Sequence, residues 1–459
     1  MVEEVESQYL SDQKKIIRER IIPWEGLARA NIINEDESNY IKILEKQSNE
    51  NKLSTVSSQI KLYSNTLLNL LNKLDINSRD DVIKHLLVLI NDLIINLPEF
   101  SAQLNGLNDT DSFLPFEPFL KHLDNNDIII KNLSLYNVVL LINEFPHKEK
   151  LDSQIIVKIY SKILSLIDSN DVNLKFLNIQ ILNKLIVNKT FKSIFIENLE
   201  FDNINHLIET SNNESMNSNN LQLMYNTLLT IWILSFSAKF NKKIIVKYPQ
   251  LIGNLLVISK NSIKLKIIRL SISILKNFIT ICDHEIDSFK FIKIILFNDG
   301  LNIITNLKSR KFSSNGSDEE LTNDLNDVND KLIDIVKNKL TSFDEYLTEL
   351  ENPKLLNWNS PTHKSNEFWL ENCNNFKKDN YKLILKMFDI LSNDSSNMGK
   401  IIILNDLQYL INNLGNELVS FINENKKFKL LIMEMLDNSS DNELKYQSLK
   451  TIQLLVGHY

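Results

Sequence analysis

Cys282, Asp283 and His284 stand side by side, and a thiol beside an imidazole and a carboxylate is the material of nucleophilic catalysis. A working Cys–His dyad joins residues that are distant in sequence, however. The tripeptide therefore reads more simply as a helix-end cysteine next to a solvated Asp and His. The remaining histidines are scattered: His85, His122, His147, His206, His363 and His458. None makes His-x-x-x-His, and Cys282 and Cys373 make no Cys-x-x-Cys, so no metal site is expected. Neither Gly-x-x-x-x-Gly-Lys nor Gly-x-Gly-x-x-Gly occurs, so no bound nucleotide, no cofactor and no ATP hydrolysis by this chain itself are expected.

With no reactive constellation, the residues that could grip a partner come next. Trp is rare and often anchors contacts. Trp232, in LLTIWILSF, is apolar on all sides and reads as core, and so does Trp369 beside Phe368. Trp24 follows Pro23 in a short N-terminal helix, where it can dock on the first repeat or on a partner; it is taken as a partner-binding candidate. The Lys pairs at 14–15, 242–243, 377–378 and 426–427 read as solvated helix faces.

The elements that must carry these residues are helical. Gly and Pro number only 8 each among 459 residues, far too few for a fold rich in tight turns. Leu86, Leu89, Ile90 and Leu93 share one helical face, as do Ile155, Ile159 and Ile163 with Leu166. The abundant asparagines read as polar-face and loop residues. A net charge of −7 argues against a nucleic-acid partner. No run approaches the roughly 18 apolar residues of a membrane span, the polar start Met1–Leu10 does not read as a signal peptide, and two distant cysteines suit a reducing compartment. A soluble cytosolic protein without direct membrane insertion is expected.

The chain also repeats. LDNNDIIIKNL begins at Leu123, IDSNDVNLKFL at Ile167 and LDNSSDNELKYQSL at Leu436. Each sets an Asp four residues before a Lys where an apolar helix opens, and Asp80–Lys84 does the same. Asp80, Asp127 and Asp171 are 47 and 44 residues apart, the HEAT/armadillo period. The Asp is expected to cap the helix and the Lys to pair with it one turn on. Stacked helix pairs of this kind bury one another's faces and leave a long surface for extended or helical partners.

The fold class expected is all-α: a HEAT/armadillo-like right-handed superhelix with a smaller C-terminal helical-repeat domain. The polar stretch from Lys308 to Asp330 reads as a loop that returns to helix near Asn329. Asn352–Pro353 and Asn359–Pro361 break the pattern again, since proline disfavours helix in the residue before it. The domains are therefore set at 1–350 and 362–459, with 351–361 as linker.

SFDEYLTEL (Ser342–Leu350) followed by NWNSPTHKSNEFWLEN (Asn357–Asn372) resembles the regulatory H-subunit family of the vacuolar proton-pumping ATPase. The family pattern is Ser-Phe-Asp-Glu-Tyr, a spacer, then Trp-Ser-Pro-x-His and Phe-Trp-x-Glu-Asn. This chain departs from it by the inserted Asn359 and by lacking the glycine before the Trp. IRERIIPWEGLARA, QLMYNTLLTIWILSF and the terminal LKYQSLKTIQLLVGHY extend the resemblance over the whole chain. The resemblance implies a non-catalytic regulatory subunit, peripheral on the cytosolic face of the vacuolar membrane. Its N-terminal domain would bind peripheral-stalk subunits E and G, and its C-terminal domain the cytosolic part of subunit a. In detached soluble sectors it would lie on the catalytic hexamer (at its B-type subunits) and on the rotor, and silence ATP hydrolysis. The family carries a longer inhibitory loop before the residues matching Ile401–Leu407. Here that place is taken by Asn393, Asp394, Ser395, Ser396, Asn397, Met398 and Gly399, the second partner-binding candidate.

Two other classes compete. A generic armadillo-type adaptor for trafficking or transport would carry a Trp ladder, for which four tryptophans are too few. An enzyme using Cys282 would be revealed by thiol-blocking reagents.

Overall fold

The computed structural model describes residues 4–74, 79–211, 218–310, 318–338, 343–393 and 396–457. Every regular element among the described residues is a helix. The chain divides into two compact units, 1–254 and 255–459, with the division inside the Gln250–Asn261 helix.

In the first unit the helices Asp80–Asn96, Ile128–Glu144, Val172–Ile186 and Ser218–Ser235 pack in succession. Leu86, Ile90 and Leu93 are at most 2% exposed, as their spacing requires. The Ile128–Glu144 helix is apolar nearly all round, and every residue from Asn132 to Ile142 is buried, because neighbours flank it on both sides.

Asp127 Oδ1 accepts from the amides of Ile129 and Ile130, and Asp171 Oδ1 from that of Asn173. Asp441 Oδ1 accepts from Glu443 and Leu444. Three of the four repeated aspartates thus cap their helices. Asp80 does not: its helix begins at Asp80 itself, with Arg79 in the cap position. The expected Asp–Lys pairs one turn apart are absent among the described residues. Lys84 instead reaches Asp127, the cap of the next repeat.

The placement of asparagine also differs from expectation. Asn91, Asn132, Asn137 and Asn178 are at most 1% exposed. Asn91 Nδ2 donates to Asn137 Oδ1 at 2.7 Å, and Asn178 Nδ2 donates to Asn132 Oδ1 at 2.9 Å. A side-chain amide offers both donor and acceptor, so one of each pair can donate to the other between packed helices. Trp232 is only half-buried and lies edge-on to the exposed Phe236. Lys14 is not a solvated lysine; it is 4% exposed.

In the second unit, helix resumes at Glu319, well before Asn329. Leu321, Leu325, Val328, Leu332 and Ile335 form a buried stripe hidden in the sequence among carboxylates. Asp318 starts that helix by accepting from the Leu321 amide. Arg269 holds Asp318, and Lys276 holds Asp324 and Asp327. One apolar core gathers residues from Tyr346 and Leu350 through Phe368, Trp369 and Leu407 to Leu455. It thus extends across the expected linker. Within 351–361, Leu356 is buried in that core, and Asn359 Nδ2 donates to the carbonyls of Leu296 and Phe297.

Candidate functional site

Residues 4–7 precede the Gln8–Glu19 helix and cross the stacked helices of the first unit. Val5 N donates to Tyr136 Oη at 3.1 Å. Glu6 N donates to Gln180 Oε1 at 2.9 Å, and Glu6 O accepts from Gln180 Nε2 at 3.2 Å. Val5 and Ser7 are 7% and 8% exposed. The polypeptide backbone is thus read by one side chain from each of two successive repeats. Asp92, in the preceding repeat, takes Lys14 at 3.2 Å and Arg18 at 2.7 Å. Lys14 also pairs with Glu4. Asp92, Tyr136 and Gln180 are spaced 44 residues apart, the spacing that separates Asp127 from Asp171. That period was the available signal for them, but it marks helix starts as readily as reading positions. Burial pushes the Tyr136 phenol upward, so its hydroxyl stays protonated and available for hydrogen bonding.

Trp24 is turned inward. It is 2% exposed, its Nε1 donates to Glu45 Oε1 at 2.8 Å, and its ring meets His85 edge-on at 5.6 Å. A partner cannot reach that indole in this conformation.

Of the second candidate, Asp394 and Ser395 lie outside the described residues. Asn393 ends the Lys378–Ser392 helix, and Ser396 Oγ accepts from Gly399 N at 3.2 Å to cap the next. Gly399 is buried, Asn397 is exposed and Met398 is 48% exposed. Met398 is the large apolar side chain that this stretch offers to solvent.

The chemistry-like grouping in the structure is one that spacing did not reveal. His363 Nδ1 lies 2.9 Å from Asp406 Oδ2, and Nε2 lies 3.3 Å from Glu349 Oε2. Tyr346 Oη donates to Asp406 Oδ2 at 3.0 Å. Burial alone would lower the His363 pKa, but Asp406 and then Glu349 outweigh it and raise it to about 10. The side chains of His363, Glu349 and Asp406 are at most 2% exposed. An imidazolium between two carboxylates resembles acid–base machinery, yet a substrate has no route to it; it holds three segments of the core together. Cys282 Sγ donates to Phe278 O at 3.1 Å. Burial, with Asp287 and Asp283 adding to it, pushes the thiol up to about 11, the opposite of nucleophile activation. Among the described residues no group of three or more His, Cys, Asp or Glu could hold a metal.

Tyr346, Trp358, His363, Phe368 and Trp369 belong to the block quoted above, and rings pack throughout it. The profiles of the V-ATPase H-subunit match residues 8–332 with their N-terminal part and 339–459 with their C-terminal part. The chain belongs to the V-ATPase H-subunit family. The V-type proton ATPase H-subunit of Dictyostelium discoideum is 26% identical over 453 residues, covering 97% of this chain and 94% of that protein. The H-subunit of Drosophila melanogaster is also 26% identical, covering 98% and 90%. A computationally designed armadillo repeat protein for modular peptide recognition aligns with a TM-score of 0.40 at 13% identity, over 57% of this chain and 96% of its own. As an H-subunit family member, the chain is related to proton transport. No single helix among its described residues is long and apolar enough to cross a membrane.

Proposed function

We propose that this H-subunit family member is a non-catalytic regulatory scaffold of the vacuolar proton-translocating ATPase. It is required by the assembled pump, and it inhibits ATP hydrolysis by the detached soluble sector. The observation that carries the scaffold reading is the reading of Val5 and Glu6 backbone by Tyr136 and Gln180. A surface that holds one polypeptide strand this way is built to hold polypeptide.

In this reading the N-terminal repeats bind peripheral-stalk subunits E and G. The C-terminal part, 362–459, binds the cytosolic domain of subunit a in the assembled pump, on the cytosolic face of the vacuolar membrane. In the detached sector it bridges stator and rotor at the catalytic hexamer, with Met398 and its neighbours as part of the contact. Rotation then stops without any group touching the nucleotide. Two tethered contacts raise each other's effective concentration, so neither must be tight alone. Reversing a 99:1 preference between two docking positions needs only about 5.5 kcal/mol of differential binding.

The test is co-elution of the purified chain with an E–G stalk dimer, paired with an ATPase assay on detached sectors. Co-elution and inhibition are expected. Replacing 393–399 with a Gly/Ser linker should relieve the inhibition and leave stalk binding intact. Failure to co-elute would reject the stalk assignment, and undiminished inhibition by the linker variant would reject the loop's role.

A further inference from the structure

Leu86, Leu89, Ile90 and Leu93 share one helical face, yet Leu89 alone of the four is only half-buried. It stands in an open cleft of about 480 Å³ within the first unit. The Asp80–Asn96 helix forms one wall. The ends of the Gln8–Glu19 and Glu35–Glu45 helices and the start of the Asn49–Ser58 helix form the others. Leu44, Val88 and Leu93 are at most 2% exposed and make the floor, and Leu53, like Leu89, is half-buried. Ile21 stands at the lip and is 91% exposed. A lone exposed isoleucine needs no explanation, but apolar side chains gathered in a concavity of this size are the material of a binding site.

The charges lining this cleft are unequally engaged. Asp92 accepts two hydrogen bonds from Arg18, at 2.7 and 2.9 Å, and Asp81 lies 3.3 Å from Arg20. Glu19, Glu45 and Glu50 line the same cleft and pair with no lysine or arginine among the described residues. Lys52 is the one lining cation without a carboxylate partner among them. Glu45 is fixed in place: its Oε1 accepts from Trp24 Nε1 at 2.8 Å and lies 2.9 Å from His85 Nε2, which leaves Oε2 for an incoming donor. An apolar floor cannot take bare backbone, whose N–H and C=O groups would lose their hydrogen bonds there. A helix keeps those bonds internal and lays an apolar stripe into the groove. Carboxylates on the rim favour lysine or arginine on the flank of that helix. We propose that this cleft docks a basic amphipathic helix of a partner protein, with its apolar face on Leu53 and Leu89 and its basic flank on Glu19, Glu45 and Glu50. Tyr136 and Gln180 do not line it, so this contact is separate from the one that holds residues 4–7.

The test is fluorescence anisotropy with the full-length chain and a labelled amphipathic helical peptide of leucine and lysine, beside a leucine–glutamate peptide of the same pattern. Saturable binding of the basic peptide that weakens with salt is expected, and no binding of the acidic one. Glu19→Lys with Glu50→Lys should weaken binding by about tenfold or more, because rim attraction becomes repulsion. Glu434→Lys with Asp437→Lys makes the same change of charge in the second unit and should leave binding intact. Methyl NMR of the unaltered chain needs no variant to fold: the basic peptide should shift the Leu53 and Leu89 methyl signals. Absence of saturable binding overturns the proposal, as does equal binding of the two peptides. So does binding that leaves the Leu53 and Leu89 signals unmoved, or an equal loss in the two charge variants, which would reduce the effect to overall charge.

Discussion

His363 Nδ1 lies 2.9 Å from Asp406 Oδ2, and neither side chain is exposed at all. His363 stands in the turn after the expected linker, and Asp406 in the Asn397–Leu414 helix. Tyr346 and Glu349, from the helix before that linker, close the cluster. Removing the imidazolium would leave two carboxylates buried with no cation. We therefore expect His363→Ala to destabilise the second unit by about 3–5 kcal/mol. Urea unfolding followed by Trp fluorescence measures this, and a loss below about 1 kcal/mol would mean that the pair behaves like a surface one.

The same pair sets a pH dependence. The folded His363 pKa, raised to about 10, lies above its ordinary value of 6.5, so the folded state binds the proton more tightly than the unfolded chain does. Its contribution to stability is complete below about pH 6.5 and disappears as pH rises through the folded value. Thermal melts should fall between neutral pH and about pH 10 in the unaltered chain, and fall less in His363→Gln. Parallel curves for the two would be incompatible with this assignment.

Asn137 accepts from Asn91 and donates to the Leu87 carbonyl. Asn137→Ala strands the buried Asn91 side-chain N–H and should cost about 1–3 kcal/mol. Asn91→Leu with Asn137→Leu should cost less than the sum of the two single changes, since no partner is then orphaned. A strictly additive double-mutant cycle would show that the two amides do not act on each other.

Gly300 follows Asp299, whose φ is +59°. A Cβ on Gly300 would meet the Ile295 carbonyl oxygen at 2.5 Å, and backbone cannot step aside as a side-chain end can. Gly300→Ala should therefore lose about 1–3 kcal/mol. Stability equal to the unaltered chain would mean that the turn relaxes freely.

Gln180 holds Glu6 by two hydrogen bonds. In Gln180→Ala, hydrogen exchange at the Glu6 amide should speed up while that of the Ile128–Glu144 helix stays as it was. Unchanged exchange at Glu6 would refute its capture by the repeat surface.

The helical class and the repeat were legible because they rest on local rules. A stripe of Leu86, Ile90 and Leu93 needs no knowledge of its neighbours, and an Asp before an apolar run caps whatever helix follows. The return to helix at Glu319 was missed because its buried stripe is interleaved with carboxylates. Those carboxylates are helix-compatible once Arg269 and Lys276 face them. Trp24 illustrates the limit for sites: its type marks an anchor, but only packing decides whether it anchors inward or outward.

The amino-acid order alone determined that this is an all-α repeat protein, and that a block around Ser342–Asn372 carries a family pattern, since periodicity and motif are written within a few dozen residues. Tertiary structure decided which residues meet. Tyr136 and Gln180 converge on Val5 and Glu6 across 131 and 174 residues, and His363 finds Asp406 across 43. Those meetings follow from how successive helices stack. The stacking is set by the shapes and burial of whole faces, which no short stretch of sequence contains.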